Sequence, residues 1–585
     1  MGSEMCIRDS SPAASSFPSL PPLLLSTLVG SPLGSRLSPL QGRSLRARRV
    51  LCDCSPVRTT MTASGSESAS VLFSATHEHT SSLVRFSPDG RLIASATMYR
   101  LVVRDVDSLQ ILHIFSCLDR IDQVEWSGDS KYLLCGVYAR GVAQVWSLEH
   151  PDWHCKIDEG PLGLAHVRWA PDGRHILATS DFRLRITIWS LLDRAVFFLR
   201  FPKYAKHALS FSAGGEYMAL GHRRDGHDYV QVVDCSKWAV VHRFNVASKD
   251  LADLRYAPRG DTLCIMDGLL EPQVLVYRQN GQLISTYKMQ PSPGCDLGPK
   301  GISWSPSGDL LIICGFDHRV NVVHRSSWAH VAELEHNSVL SAAFAPDAVA
   351  YVQVARSATG RVVAEASAHE SESDTIDGPE MLLRRGQELI YTAQKLPLSI
   401  PTVKPTPDKL NPHMGIGIVE WSADGRFFAT RNDGMPRAIF IWDGSTLALH
   451  SVMLQVAAVR SMAWHPTRQV LAVCTGIAAI VLWSPQGCQT APLPDDRAFR
   501  VSTATWNSMG DALVLLDKDS FCVSFVRLGQ NTDTAPPIAP RLTAEEEEEI
   551  RQMLDSELTL DKSSCKQTSQ PRQRDENVNT QNDQS

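Results

Sequence analysis

The residues that could carry out catalysis are few and scattered. None of the patterns G-x-S-x-G, H-E-x-x-H or G-x-x-x-x-G-K-[S/T] occurs in the 585 residues, so the nucleophile, zinc and phosphate sites built by those patterns are not predicted. Cys52-Asp-Cys54 lacks two further zinc ligands, and Gly415-Ile-Gly417 lacks the third glycine of a dinucleotide loop. His154-Cys155 is an isolated pair that we expect in a packed loop. The sequence predicts no catalytic residue, no metal site and no cofactor.

Arginine side chains suggest binding chemistry instead. They recur beside polar turns and, if brought together, their guanidinium groups would suit an acidic helix or peptide. The alternative is that arginine is simply a tolerated, solvated turn residue. The set is Arg100, Arg140, Arg183, Arg223, Arg224, Arg319 and Arg431. Whether these side chains meet depends on the elements that position them.

The elements come from a repeat of about 42 residues. Each copy has an apolar residue, one intervening residue, an aromatic residue and then a small-Pro-Asp-Gly type of turn, as in Val84-Arg-Phe86-Ser-Pro-Asp-Gly-Arg91. One interval, between Phe344 and Trp421, is 77 residues long. The aromatic positions of the ten copies are Phe86, Trp126, Trp169, Phe211, Tyr256, Trp304, Phe344, Trp421, Trp464 and Trp506.

Each repeat reads as a set of short β-strands. The turn is followed by an apolar run such as Leu310–Cys314, then a polar turn, then an alternating segment that often ends in tryptophan, as at Trp146 and Trp189. Period-two apolar residues with β-branched and aromatic side chains, separated by Pro, Gly and Asp turns, predict strands. Because a single unit cannot bury its apolar face alone, many units must stack.

These units resemble WD repeats over about residues 71–528. The WD dipeptide itself is present as Trp442-Asp443. The structural aspartate of the family, in the turn between the second and third strands, matches Asp181, Asp225, Asp317 and Asp433, and its histidine partner matches His336. The resemblance implies an all-β, WD40-type β-propeller array of about ten four-stranded repeats with disordered termini.

Closure of the array is left open by the sequence. Residues Ser70–Ala75 look like an outermost strand without a blade of its own, which in WD proteins completes the last blade, here the one that contains Trp506. Such closure would hide two free sheet edges. Either one large ring of nine or ten blades forms, or a seven-bladed ring is followed by an open second array.

The chain divides into five predicted segments. The boundaries are a disordered or non-native leader at 1–70, repeats one to seven at 71–347, a polar, mobile insertion at 348–412, repeats eight to ten at 413–528, and an acidic, mostly disordered tail at 529–585. Within the tail, a capping-box pattern at Thr543 opens a helix-compatible run at 544–559.

The WD resemblance also places the arginines. In a WD propeller the turns between second and third strands lie on one face, so the seven arginines are predicted to converge on one rim and bind a partner there. Solvated turn residues remain the alternative.

A narrower resemblance concerns stretches between the generic repeat positions. Tyr99–Val106, Trp153–Gly160 and Arg183–Ser190 resemble a centrosomal and spindle-pole subgroup of WD-repeat proteins. That resemblance implies a non-enzymatic scaffold in the cytoplasm and cytoskeleton, at the centrosome or spindle pole. It further implies a coiled-coil, microtubule-anchoring partner of the synovial-sarcoma-X-interacting type, with roles in microtubule minus-end anchoring, spindle organisation and ciliogenesis.

The charge balance bears on the alternatives. With 57 basic and 63 acidic residues the net charge is −6, which argues against a surface made for nucleic acid. We therefore expect neither nucleic-acid nor membrane partners. The alternative function is an RNA- or translation-associated propeller adaptor, which would bind RNA through the arginine rim in a salt-sensitive way.

Overall fold

The computed structural model describes residues 4–8, 57–60, 70–268, 271–290, 297–356, 362–366, 388–404, 412–493 and 499–527. In these ranges the chain forms strands and three single-turn 3-10 helices, Tyr138–Arg140, Gly160–Leu162 and Asp181–Arg183. No α-helix occurs in them, so none is present there that could cross a membrane. The predicted all-β class is confirmed.

Nine antiparallel four-stranded units occur in the described residues, three of them widened by further strands, and we number them blades 1 to 9, with strands a to d in each. Blade 1 comprises Val84–Phe86, Leu92–Thr97, Arg100–Asp105 and Ile111–Ser116. Blade 2 comprises Gln123–Trp126, Tyr132–Val137, Val142–Ser147 and His154–Asp158. Blade 3 comprises His166–Trp169, His175–Thr179, Arg185–Ser190 and Val196–Arg200. Blades 4 to 6 are Leu209–Phe211, Tyr217–Arg224, His227–Asp234, Ala239–Asn245; Leu251–Tyr256, Thr262–Asp267, Gln273–Arg278, Leu283–Lys288; and Pro299–Trp304, Leu310–Gly315, Arg319–His324, His330–Glu335. Blades 7 and 8 are Ile416–Trp421, Phe427–Asn432, Ala438–Asp443, Ala448–Leu454; and Ser461–Trp464, Leu471–Cys474, Ala479–Ser484, Gly487–Pro492.

Blade 9 is built from both ends of the repeat array. Its strands a to c are Thr503–Trp506, Ala512–Leu516 and Ser520–Arg527, and its strand d is Ser70–Phe73. Ser70 pairs with Arg527 and Phe73 with Ser524, in antiparallel register. The short strand His77–Glu78 also pairs with strand c. The expectation that Ser70–Ala75 completes the last blade is therefore confirmed.

The turn between strands a and b explains the repeated Asp-Gly. In blade 1 the Ser87 hydroxyl bonds to the Asp89 carboxylate, and Gly90 follows at φ +76°. A Cβ at Gly90 would lie 2.7 Å from Ser508 Oγ, so both the backbone conformation and the space favour glycine. Gly173 and Gly425 adopt positive φ at the same turn.

The aromatic residue of each strand a links neighbouring blades. The indole N–H of Trp126 donates to the carbonyl of Arg85 at 3.1 Å, across the boundary between blades 1 and 2. The same bond recurs between other neighbours, from Trp169 to Glu125, Trp464 to Glu420 and Trp506 to Ala463, at 2.9 to 3.3 Å. At these four positions the ring buries apolar area while its polar N–H is satisfied, which suits tryptophan to the boundary between blades.

Buried apolar clusters join every pair of neighbouring blades. Nine clusters account for the nine interfaces, including the one between the last blade and the first. In that closing interface Val84 and Ile93 of blade 1 pack with Val514 and Phe521 of blade 9. Each blade therefore contacts the next all the way round, and blades 1 to 9 form one closed ring.

The ring has nine blades, so the expectation of about ten repeats is corrected at Phe344. The residues around Phe344 lie in turns, and no four-stranded sheet begins there. The strand that follows, Val349–Arg356, instead pairs in parallel with strand d of blade 7 and buries Ala350 and Val352. The motif copies the turn of a repeat, but the chain beyond it satisfies its backbone on the open edge of blade 7.

The insertion predicted at 348–412 is thus partly built into the ring. Glu388–Lys395 pairs with Val349–Arg356 along its length, and Val362–Glu365 pairs with its far end. Val339–Leu340 pairs with Leu398–Ser399. The remainder of the predicted insertion, including residues 367–387 and 405–411, lies outside the described residues.

Two further strands fall within the predicted leader at 1–70. Glu4–Arg8 pairs in parallel with strand d of blade 2, and Val57–Thr60 pairs with Ser70–Phe73. The rest of that segment lies outside the described residues, as do the tail at 529–585 and its helix-compatible run at 544–559.

Candidate interaction surface

One face of the ring carries the residues singled out from the sequence. It is formed by the turns between strands b and c and by the connections from strand d of one blade to strand a of the next, and we call it the upper face. The turns between strands a and b and between strands c and d form the lower face. The seven arginines lie in or beside turns of the upper face, on blades 1, 2, 3, 4, 6 and 7.

Five of the seven arginines are neutralised by carboxylates. Arg140 pairs with Asp119 at 2.9 Å, and Arg223 pairs with Asp250 at 2.7 Å. The other pairs are Arg224 with Asp225 at 3.3 Å, Arg319 with Glu333 at 2.6 Å and Arg431 with Asp433 at 2.5 Å. The structure brings the arginines to one face but surrounds most of them with acid, so the rim is not uniformly basic.

The two remaining arginines have different surroundings. The Arg183 guanidinium donates to the carbonyl of Lys203 at 2.8 Å. Arg100 lies over the ring of Tyr99, 5.6 Å from its centroid, and is exposed. Of the predicted set, these two retain a positive charge that no ion pair among the described residues opposes.

Of the four predicted structural aspartates, Asp181, Asp317 and Asp433 are partly buried, and Asp225 is exposed. Asp433 is half-buried between Lys300, at 2.6 Å, and Arg431. Burial alone would raise the pKa of Asp433, but hydrogen bonds and charges from Lys300 and Arg431 outweigh it and hold the pKa below its usual value. Asp317 is half-buried and burial raises its pKa. Asp181 packs against Gly163, where a Cβ would lie 2.1 Å from the carboxylate oxygen.

Asp225 does not occupy the buried position that the family pattern assigns to it. Its side chain is 86% exposed. Asp228, three residues later, is buried instead and accepts from Lys203 at 2.8 Å and from the backbone N–H of Leu251 at 2.6 Å. The turn in blade 4 is extended by two long strands, which moves the buried carboxylate into strand c.

His336 takes part in a buried relay in blade 7. The Trp442 indole donates to the Thr430 hydroxyl at 2.9 Å, and Thr430 in turn bonds to His336 Nε2 at 2.7 Å. Burial lowers the pKa of His336 to about 3, so its ring is neutral where it meets the Thr430 hydroxyl. His336 is therefore bonded to a threonine and not to an aspartate. This threonine belongs to blade 7, after the insertion, and not to a repeat at Phe344.

Asp443 of the WD dipeptide stabilises the turn that follows it. Its carboxylate accepts from the backbone N–H of Ser445 at 2.8 Å and from the Ser445 hydroxyl at 2.5 Å. Asp105 and Asp234 make the same contacts to Ser108 and Ser236 in blades 1 and 4. These aspartates therefore fold a turn.

Sequence reasoning missed a second buried relay, in blade 3. Glu159 accepts from the Trp189 indole at 2.7 Å and from the Thr187 hydroxyl at 2.9 Å, with Arg185 at 3.5 Å. Burial raises the pKa of Glu159 above its usual value, although the contacts with Trp189, Thr187 and Arg185 act to lower it. Glu159 directly follows strand d of blade 2, as His336 directly follows strand d of blade 6. The position directly after strand d is therefore the sequence signal by which Glu159 could have been identified.

A cavity of about 610 Å³ opens between blades 6 and 7 on the upper face. The last described residues of the insertion before the gap, up to Lys404, line it, and the Val403 N–H donates to the Gly434 carbonyl at 2.9 Å. Its wall carries charges of both signs, from Asp317, Arg319, Glu335 and Lys404, together with His318, His336 and His413. In the described ranges no group of three or more His, Cys, Asp or Glu side chains is arranged to hold a metal ion.

The isolated His154-Cys155 pair lies in a strand rather than in the loop we expected. It begins strand d of blade 2, where Cys155 is fully buried and the His154 ring stacks on Trp146 at 5.2 Å. Both side chains therefore have a packing role in the sheet.

Comparison with known proteins gives the following matches. The chain is 40% identical to the mouse WD repeat-containing protein WRAP73 over 464 residues, which cover 77% of this chain and 95% of the mouse protein. It is 21% identical to the uncharacterised WD repeat-containing protein C32H8.09 of Schizosaccharomyces pombe over 407 residues, covering 66% of this chain and 74% of that protein. No family model matches the chain.

Two solved structures are more distant. The C-terminal WD40 domain of Sif2 matches with a TM-score of 0.41 at 10% identity, covering 77% of this chain and 97% of that one. The β-propeller domain of Myceliophteria thermophila Cps50 (Swd1) matches with a TM-score of 0.31 at 17% identity, covering 45% and 90%.

Proposed function

The chain belongs to the WD-repeat family, and from that premise we propose that it is a non-enzymatic scaffold of the centrosome and spindle pole. Its proposed role is to bind a coiled-coil, microtubule-anchoring protein of the synovial-sarcoma-X-interacting type. Through that complex it supports minus-end anchoring, spindle organisation and ciliogenesis. Its proposed location is the cytoplasm and cytoskeleton, at the centrosome or spindle pole.

One observation carries the proposal. The similarity to a WD-repeat relative extends over 95% of that relative's length, so it includes the segments between the repeat turns and not the generic turns alone. The geometry is compatible with a scaffold, because a closed ring of nine blades presents a broad face of turns and connections. On that face the buried carboxylates we describe are engaged by lysine, arginine, tryptophan or backbone donors, which is a structural use of acidic groups.

The experiment is capture of the tagged full chain from mitotic cells. We expect the coiled-coil anchoring protein and spindle-pole components to be recovered, and the tagged chain to be seen at the poles by microscopy. Recovery of ribosomal subunits or RNA without these proteins would refute the proposal and support the translation-associated alternative.

A matched pair of variants tests whether the upper face binds the partner. Reversal of Arg100, Arg140 and Arg183 to Glu should weaken capture of the coiled-coil protein without lowering the melting temperature, since all three are exposed. The control reverses three exposed lower-face cations, Arg91, Lys131 and Lys237, to Glu. Equal capture by the two variants would argue against an upper-face site.

A further inference from the structure

An apolar patch on the upper face of blade 3 stands out by its exposure. Phe182, in the turn between strands b and c, is 91% exposed, and its neighbour Leu184 is 44% exposed. Phe201, which directly follows strand d of the same blade, is 50% exposed. The Phe201 N–H donates to the Leu184 carbonyl at 2.9 Å, so the two segments are held side by side. We call Phe182, Leu184 and Phe201 the blade 3 patch.

The backbone is strained where it presents these rings. Phe182 lies at φ +57°, Arg183 at φ +57° and Phe201 at φ +56°, in the left-handed region that bulky side chains rarely adopt. Such conformations persist only when the surrounding structure holds them, and twelve other non-glycine residues of the described ranges adopt them as well. Here this conformation holds the Phe182 ring in water, whereas the Phe201 ring is half exposed and lies 6.3 Å from the ring of His222.

Cations surround the patch. Arg183 is next to Phe182, and its guanidinium donates to the carbonyl of Lys203, on the connection that carries Phe201. Lys206 and His207, on the same connection, are exposed, and both lie close enough to His166 to help lower its pKa. Of the nearby acids, Asp228 and Asp250 are paired with Lys203 and Arg223. Asp181 directly precedes Phe182 and offsets one of the remaining cations, so Arg183 and Lys206 together leave a positive balance at the edge of the patch.

From these observations we infer that the blade 3 patch is the docking site for an amphipathic helix of a protein partner, with an apolar stripe that covers Phe182 and acidic residues that face Arg183 and Lys206. A helix supplies apolar side chains at the i, i+3 and i+4 spacing that such a patch can bind. Aromatic residues exposed in the free protein and buried in the complex are characteristic interface anchors. This inference rests on the proposed function, because it locates the surface that would bind the coiled-coil partner.

Other classes of occupant fit less well. A polyanion such as RNA would need a denser run of cations than Arg183, Lys206 and His207 provide. Electrostatic binding to an anionic membrane typically uses clusters of four to eight Lys or Arg side chains. A patch that is mainly apolar, with two or three cations beside it, suits an acidic amphipathic helix better than either.

The test replaces the anchor by a residue that tolerates its backbone. Phe182→Asn removes the ring, and asparagine accepts the left-handed conformation, so the melting temperature of the full-length variant should be unchanged or higher. Binding to the purified coiled-coil protein should weaken by about 30-fold or more, as for an interface anchor. A fall in affinity without a fall in stability is the result that a merely structural residue would not give.

Two further variants sharpen the result. Leu192→Asn is the matched control, because Leu192 is 72% exposed on the lower face of the same blade. This variant should bind the coiled-coil protein as tightly as the wild type does. Lys206→Glu should weaken binding several-fold and reduce its sensitivity to salt, since one attractive charge becomes repulsive.

The outcomes separate this inference from the proposed function. If the wild type binds the coiled-coil protein and Phe182→Asn changes the affinity by less than twofold, the inference is overturned and the proposed function is left intact. Failure of the wild-type chain to bind the coiled-coil protein would overturn both. Binding of the wild type to vesicles of phosphatidylcholine and phosphatidylserine at a three-to-one ratio, abolished by Phe182→Asn, would overturn the helix in favour of a membrane occupant.

Discussion

At the scale of single residues, buried polar groups hold the blades in register. The Trp442, Thr430 and His336 relay joins strand c and strand b of blade 7 to the end of blade 6. The Glu159 relay does the same for blade 3 and the end of blade 2. Since a buried donor without a partner costs about 1–3 kcal/mol, each relay strongly favours one packing of neighbouring blades.

Thr430 is the centre of the relay and gives the first prediction. Thr430→Val keeps the shape but leaves the Trp442 indole and the His336 ring without their hydroxyl partner, so we expect a loss of about 3 kcal/mol in the free energy of unfolding. Chemical denaturation measures it. The same change at exposed Thr446 should cost less than about 0.5 kcal/mol. Equal losses at the two positions would contradict the relay.

The buried imidazole of His336 predicts a pH dependence. Its folded pKa of about 3 lies below the ordinary value of 6.5, so the unfolded chain binds the proton more readily. Its contribution to stability is complete above pH 6.5 and is lost as the pH falls towards 3, by about 1.4 kcal/mol per pH unit. The stability difference between wild type and His336→Gln should shrink with that slope from pH 6.5 to 5. A difference that is constant with pH would refute it.

Asp433 and Asp225 allow the stability contributions of a largely enclosed and an exposed carboxylate to be compared. Asp433→Asn leaves the cations of Lys300 and Arg431 together in a poorly solvated place, where their side chains are 12% and 18% exposed. We expect a loss of about 3–5 kcal/mol in unfolding free energy. Asp225→Asn, at a side chain that is 86% exposed, should cost less than about 1 kcal/mol. Denaturant titration of both variants provides the comparison, and similar costs would count against a buried ion-pair network.

At the scale of elements, the edges of the blades decide the architecture. Strand Ser70–Phe73 closes blade 9, and Val349–Arg356 covers the edge of blade 7. Both segments bury apolar side chains, and both satisfy an outer edge whose backbone groups would otherwise be open to another chain. Edge pairing therefore explains both the closure of the ring and the position of the insertion.

The closing strand gives the prediction at this scale. Phe73 is 2% exposed and packs in the cluster between blades 8 and 9, so Phe73→Asp buries a charge at the joint of the ring. We expect a loss of about 4 kcal/mol or more and a clear fall in melting temperature. Ala75→Asp, two residues later and exposed, should be close to neutral. If Phe73→Asp melts as the wild type does, the strand does not close the ring in solution.

At the scale of the whole molecule, charge is balanced locally as well as in total. The net charge is −6, and five of the seven upper-face arginines are paired with acid. Among the described residues of the upper face, these ion pairs interrupt the row of arginines. Specific contacts, such as the blade 3 patch, therefore matter more for partner choice than a general attraction to polyanions.

This balance gives a prediction for nucleic acid. A fluorescent 20-nucleotide uridine RNA, titrated with the full chain at 150 mM salt, should bind no more tightly than about 100 µM, the weak end of non-specific affinity. Fluorescence anisotropy measures it. A micromolar Kd that weakens steeply with added salt would instead support the RNA-associated alternative.

Much of the fold was readable from the chain because the repeat is local. The aromatic residue and the Asp-Gly turn lie within a few positions of each other, and sheet alternation follows from period two, so the blades and the closing strand could be predicted. The blade count could not, because the residues at Phe344 copy a repeat turn while their strands pair elsewhere. The arginines could be assigned to one face, but not their acidic neighbours, which come from other strands and connections.

The sequence by itself determined the all-β class, the repeat, the aromatic links between blades and the strand that closes the ring, since each depends on contacts within a unit or on periodicity. The tertiary structure decided that there are nine blades, that His336 serves the blade beyond the insertion, and that Phe182 and Phe201 lie exposed on neighbouring segments of blade 3. These features depend on which distant segments become neighbours. Pairing at open sheet edges and packing between blades select those neighbours, and neither is encoded in the spacing of a single repeat.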